Sequence, residues 1–359
     1  MQVSLKSRAL VLALAIVPSI TFAQGAGGVY VITNSPAGNA VVVYDRAGSG
    51  TLTPAGVYPT GGSGTGAGLG SQGAVIVTED RRFLFAVNAG SNSVSSFRIR
   101  PEGLELAGTV SSGGVLPTSV TYAGGLLYVL NAGGTNNITG FSVDPKGRLT
   151  PLAGSTRPLS EASTSPAQVG FNDDGDALIV TERATNRIDV FEIAEDGHPI
   201  GPFVSPSAGP TPFGFAVDKR NTVLVSEAGA GGGASTYRLR AGTLDAASSM
   251  LMTGQRAACW AVVTKNGRYG YVTNAGTGNI SGFAIAQDGS AVLLDADGIT
   301  ALTGGNPTDV AVSHDSQYLY ARVAGLSAIA IFRINADGSL TALPPLTGTP
   351  AGLGGLAAF

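Results

Sequence analysis

Two glutamates at corresponding places of an internally repeated chain, and two arginines near them, are the residues best suited to do chemistry. Glu182 and Glu227 stand where other copies of the repeat carry Asn34, Asn88, Asn131 and Asn274, while the last copy carries Val323. An asparagine that recurs by copy serves the fold, because its amide bonds the following turn, as in Asn88-Ala-Gly and Asn274-Ala-Gly. The departures are where chemistry has room. Glu227 is read either as a general base or substrate contact, or as a solvated rim charge. Arg256, in Gly254-Gln-Arg-Ala-Ala, either holds a substrate carboxylate, phosphate or oxyanion, or pairs with an acid such as Glu182 or Glu227. Arg183 adjoins Glu182 and offers a second guanidinium, which could equally pair locally and point outward. Gln168, Trp260 and Asp309 lie at the starts of apolar runs and complete a polar lining, with Trp260 either a stacking surface or a packing residue.

These positions presuppose elements that bring them together. A block recurs about every 45–50 residues, the spacing of propeller blades. One copy is Pro307-Thr-Asp-Val-Ala-Val with Tyr318-Leu-Tyr, Ile329-Ala-Ile-Phe and Asp337-Gly; another runs from Ala258-Cys-Trp-Ala-Val-Val through Tyr271-Val-Thr-Asn to Ile280-Ser-Gly-Phe. Each copy reads as four short strands, A to D from the axis outward. The A and B runs are apolar on both faces, as expected of sheets sandwiched between neighbours. Asp174-Gly175 and Asn266-Gly267 make A–B turns, and Asp196-Gly197, Asp288-Gly289 and Asp337-Gly338 make C–D turns. No helical period is sustained. The expected fold is all-β, a seven-bladed β-propeller, with Gly355-Leu-Ala-Ala-Phe359 supplying the inner strand of the first blade and closing the ring.

Strand direction sorts the loops into two rims. The B–C and D–A connections share one, with the glycine-rich stretches 61–70 and 229–233, expected to be flexible; the A–B and C–D turns share the other. The two histidines, His198 and His314, fall on the turn rim, so serine triads and histidine-held metals at the loop rim are excluded. Glutamates and amides around one mouth suit calcium, but no Asp-x-Asp loop accompanies them. No metal and no cofactor is expected.

Composition narrows the class further. The 359 residues carry 13% charged residues and a net charge of −3, with no basic run, so nucleic acid and anionic membranes are poor partners. The one cysteine, Cys259, lies in an apolar strand and reads as an inert thiol. Lys6 and Arg8, the apolar run Ala9 to Val17, and Thr21-Phe22-Ala23 read as a signal peptide over 1–23, leaving a propeller over 24–359. No later stretch suits a membrane span. A monomer, secreted or periplasmic, is expected.

The repeat resembles the seven-bladed lactonase propeller family, which includes a 6-phosphogluconolactonase and carboxymuconate cyclases, and also YVTN propeller repeats through Tyr271-Val-Thr-Asn274. Ser226-Glu227 and Gln255-Arg256 match an acid and a base that the phosphogluconolactonase-type blade carries. Histidines of that family are absent at Ser165-Pro-Ala-Gln168 and Thr211-Pro-Phe-Gly214. The resemblance implies a lactonase opening a sugar or other small lactone, with Glu227 activating water and Arg256 binding an anion. Rival readings are a non-catalytic propeller that binds a glycan or protein partner, and a muconate-type cyclase.

Overall fold

The structure is a computed structural model that describes residues 27–359, so the expected signal peptide over 1–23 lies outside the described residues. Seven antiparallel sheets surround one axis, and the first is assembled from both ends of the described chain. Gly354–Ala358 is its inner strand and pairs with Gly27–Ile32, in the register Val29↔Ala358 and Tyr30↔Ala357. The Phe359 N–H donates to the Gly28 carbonyl at 2.8 Å, extending the join. The expected ring closure is therefore present, and it leaves no unpaired inner strand in blade one.

Burial follows the sandwich logic read from the apolar runs. Strand B of blade four, Ala177–Glu182, and of blade five, Thr222–Glu227, is buried at every position, whereas the outer strand Pro199–Pro206 is mostly exposed. Blades three and six differ from the four-strand expectation, because their outer strand is split into Leu149–Pro151 with Arg157–Pro158, and Ala291–Leu293 with Ala301–Leu302. Gly140 and Gly282 of the neighbouring C strands explain the break. Leu152 and Leu294 donate backbone N–H to their carbonyls, and a Cβ on Gly282 would meet Leu294 at 2.7 Å.

Tyrosines of the B strands bind one blade to the next. Tyr128, Tyr271 and Tyr320 donate their hydroxyls to the carbonyls of Gly197, Gly338 and Gly50, each in the next blade's C–D turn. Gly338 and Gly50 lie at φ +87° and +85°, in the left-handed region. Their missing Cβ also makes room for the rings of Tyr269 and Tyr318, so glycine is required there twice over.

The glycine-rich stretch 61–70 is pinned rather than free. Buried Asn34 donates Nδ2 to the Ala67 carbonyl at 2.6 Å and accepts the Thr65 N–H at 3.0 Å. A Cβ on Gly64 would lie 2.1 Å from the Asn34 carbonyl carbon, so glycine permits this close approach. The end of the stretch then crosses the axis. Gln72 of blade two clamps the backbone of Ala261 in blade six with both amide atoms, at 2.7 and 3.0 Å. The Trp260 indole N–H donates to the Ser71 carbonyl at 2.9 Å, and the Gln72 N–H to Ala167 of blade four at 3.1 Å. A waist closes the channel between the two rims.

If the closing strand carries the packing between blades seven and one, its core residue should be costly to truncate. Leu356 is 6% exposed among Val29, Val31 and Tyr320, whereas Leu302 is 69% exposed. Chemical denaturation of Leu356→Ala is expected to show a loss of about 2–4 kcal/mol, against less than about 0.5 kcal/mol for Leu302→Ala.

Candidate functional site

The recurring asparagine is a buried structural residue. Asn88 donates Nδ2 to Ser93 and Ser95 of strand C, at 3.2 and 2.7 Å, and accepts the Thr60 hydroxyl from the preceding D–A loop at 2.6 Å. Asn274 repeats this with Asn279 and Ser281. The amide thus ties the end of strand B to strand C beyond the turn, and in blade two also to the loop from the previous blade.

In blades four and five the same place holds an acid, with different consequences. Glu182 accepts the Ser160 N–H at 3.0 Å and the hydroxyls of Ser160 and Thr185 at 2.5 Å. Asp189, at the strand-C place of Ser95 and Ser281, accepts the same Ser160 N–H at 3.0 Å. Both acids are fully buried. Burial, followed by the charge of Glu182, pushes the Asp189 carboxyl up to about 8. The pair behaves as one proton shared between two carboxyls.

Glu227 stands differently. It is fully buried; Oε1 accepts the Ser207 hydroxyl at 2.8 Å, while Oε2 has no hydrogen-bond partner. Ser207 also touches the Tyr237 hydroxyl, which takes the Ala208 N–H at 2.7 Å. Burial pushes Glu227 up to about 7 and the Ser207 hydroxyl opposes it. Ser235 and the Gly209 backbone oppose it as well, but no arginine is among the opposing groups and burial prevails.

Arg183 is the residue that reaches the waist. Its Nε donates to the Ser165 carbonyl at 2.9 Å and its guanidinium lies 5.3 Å from the centre of the Phe213 ring, which meets Trp260 edge-on at 5.1 Å. A Cβ on Gly70 would lie 3.3 Å from Nη1, so the pinned glycine loop borders the same place. Burial lowers the arginine, and among the described residues no carboxylate comes within ion-pair distance of it. Cys259 is buried beside it, with its thiol pushed up to about 12, in keeping with an inert role. Gln168 spends its amide on the Phe215 backbone, donating at 3.0 Å and accepting at 2.7 Å. Trp260 and Gln168 therefore build the waist that Arg183 overlies.

The remaining candidates lie apart. Arg256 is exposed and donates to the Gly276 carbonyl at 3.2 Å; among the described residues no ion pair joins it to Glu227 or Glu182. Asp309 is 1% exposed and accepts the Val310 N–H at 2.8 Å; burial pushes it up to about 8 against the attraction of Arg322. The structure sets Arg183 and Trp260 against the same Phe213 ring, while Gln168 lies on the turn side of the waist. It does not bring Glu227 and Arg256 into contact. Phe213, Gln72, Asp189, Ser207 and Arg322 were not singled out from sequence. Asp189 and Arg322 had a signal: Asp189 stands where Ser95, Thr139, Ser235 and Ser281 do, and Arg322 where Thr181, Ser226 and Thr273 do.

The shared proton has a measurable sign. An unfolded aspartate releases its proton near pH 4, but folded Asp189 keeps it to about 8, so stability falls as pH rises through that window and then levels. Asp189→Asn keeps the shape without the ionisation. It should match the parent protein near pH 5 and exceed it by at least about 1 kcal/mol near pH 8.5 in paired denaturation curves.

Comparison with known proteins adds the family. Residues 20–161 and 226–349 match the seven-bladed β-propeller lactonase family. Glu227 and Arg256 fall inside the matched segments; Gln168, Glu182, Arg183 and Asp189 fall between them. The chain is 24% identical over 313 residues to a 6-phosphogluconolactonase of Yersinia pestis, covering 84% of this chain and 76% of the relative. A Yersinia enterocolitica 6-phosphogluconolactonase is also 24% identical, over 320 residues, with 84% and 77% covered. Among solved structures, the periplasmic gluconolactonase of Pseudomonas aeruginosa superposes with TM-score 0.73 at 18% identity, over 91% of this chain and 98% of that one. A Lactobacillus plantarum protein does so with TM-score 0.75 at 15% identity, over 93% and 99%. With a matching blade sequence over most of its length and the sevenfold ring to go with it, the chain belongs to the seven-bladed β-propeller lactonase family.

Proposed function

We propose that the protein is an exported lactonase-like hydrolase that opens a small lactone carrying an anionic group at the loop rim. The observation that carries this reading is Glu227, a buried carboxyl raised to about 7 with one oxygen unpartnered, because a general base works best when poised near the working pH. Half-buried Ser207 donates to Glu227 and offers a path by which a proton leaves the attacking water. Water adds to the lactone carbonyl, the ring C–O bond breaks, and the proton held by Glu227 passes to the departing alkoxide. Arg183, with guanidinium N–H groups not engaged by any acid, holds the substrate anion above the Phe213–Trp260 floor. Arg256 supplies a cation further out on the rim. Export is supported by the charged, apolar and small-residue sequence of 1–23 and by likeness to a periplasmic gluconolactonase.

One observation favours a second reading. Glu227 is wholly enclosed, and the strand-A starts at Gln168 and Gly214 carry no histidine, as suits a propeller that binds a glycan or protein without turnover.

A panel of neutral and carboxylated lactones separates the two. The expected result is hydrolysis whose kcat rises with pH to a plateau above about 7, as Glu227 loses its proton. Glu227→Gln should lower kcat by at least about 100-fold, and Arg183→Ala should raise KM about tenfold for carboxylated lactones only. No turnover of any lactone by purified protein would leave the binding reading. For export, the mass of the protein recovered from outside the cytoplasm should correspond to a chain beginning at Gln24.

A further inference from the structure

We infer that the turn-side half of the central channel is a second binding site, built for a small organic cation with an apolar body. Below the waist lies a cavity of about 770 Å³, within the range of small-molecule sites. Gln72 and Gln168 line its inner end, with their amides already committed to Ala261 and Phe215. That end therefore closes the channel and offers a ligand little hydrogen bonding. The cavity is thus separated from the loop rim where Arg183 lies.

Its walls mix polar and apolar surface, and part of the apolar share is uncovered. Val77, Tyr122, Phe171, Val217 and Ala358 all line it and are half-buried, and Tyr122 is held in place by stacking on Phe85 at 5.4 Å. Uncovered apolar surface inside a concavity favours a ligand that removes it from water.

The rim selects the sign of charge. Glu79, Asp80, Asp173 and Asp174 line the mouth, and no lysine, arginine or histidine does. Glu79 is matched by Lys265 at 2.5 Å, and Asp80 has Arg82 at 3.9 Å. The turn of blade four has no such match. Asp174 accepts only the Asn221 amide, at 2.6 Å, and the Asp173 carboxylate has no partner among the described residues. Asp176 and Glu192 in the adjoining cleft between blades four and five add to the negative field there. An ammonium group fits beside Asp173 and Asp174 while a hydrocarbon or phenyl body fills the lumen. Anions are repelled here, the opposite of the preference that Arg183 gives the loop rim.

The test uses three probes that share one body: 4-phenylbutylamine, 4-phenylbutanol and 4-phenylbutyrate, titrated into protein with labelled valine methyls. The amine is expected to shift Val77 and Val217, the alcohol to bind at least about tenfold more weakly, and the acid not to bind. Asp173→Asn combined with Asp174→Asn should bring the amine down to the alcohol's affinity, and Val217→Trp should block both by filling the lumen. Arg183→Ala should leave amine binding unchanged, which separates this site from the proposed lactone site. Equal binding of all three probes, shifts confined to other valines, or no binding of the amine would overturn the inference. Should Val217→Trp not fold, the surface aspartate pair and the methyl map still decide it.

Discussion

The inner strand of every blade has one edge that faces the axis with no further strand to pair, and the rest of the structure depends on how that edge is satisfied. Buried backbone groups left without partners are costly, so a propeller must supply them from elsewhere. Here neighbouring blades do it in sequence around the ring. Ser119 and Thr121 of blade three take the N–H groups of Val169 and Phe171 in blade four. Gln168 of blade four clamps Phe215 of blade five, Thr181 donates to Phe213, and Ser226 of blade five donates to Cys259 of blade six. Gln72 reaches across to complete blade six. Polar side chains near the axis are therefore mostly spent on architecture. Among those with capacity left over are the guanidinium of Arg183 and the second carboxyl oxygen of Glu227.

The same reasoning explains why exchanging asparagine for glutamate matters. An asparagine at the end of strand B uses its amide to donate to strand C and stays neutral at any pH. A glutamate has no donor unless it is protonated, and enclosure makes protonation easier. Blade five faces this with one carboxyl, which burial raises to about 7 against the hydrogen bond from Ser207. Blade four adds Asp189 where Ser95 and Ser281 stand elsewhere, so two carboxyls must share a site and one remains protonated. Blade seven avoids the problem with Val323 facing Ala328 across the strands. One architectural position thus spans inert, proton-sharing and near-neutral states.

The propeller was legible because periodicity survives any single substitution, and ring closure because Gly355-Leu-Ala-Ala-Phe359 had the pattern of an A strand lacking its partners. The site was less legible, and strand parity is the reason. Successive side chains along a strand alternate in direction, so a residue known to end strand B can face the axis or turn beneath the previous blade's loop. Thr181 and Ser226 take the first course and Glu182 and Glu227 the second, which encloses acids that their position had suggested were rim groups. Arg183, next in line after Glu182, returns to the axis and meets Phe213. The waist was out of reach altogether, since Gln72 and Ala261 are distant in sequence and no local pattern pairs them.

That waist divides the central channel in two. On the loop side, an unpaired guanidinium lies over aromatic rings, and the acid nearest neutrality is in the adjacent blade. On the turn side, the walls end in the carboxylates of Asp173 and Asp174, which no cation pairs among the described residues, beside Glu79 and Asp80, which Lys265 and Arg82 do. The crossing of residues 71–72 does more than satisfy backbone edges. It separates the mouth beside Arg183 from the mouth beside Asp173 and Asp174, and it assigns to the glycine-rich stretch before it the task of delivering the backbone to the axis.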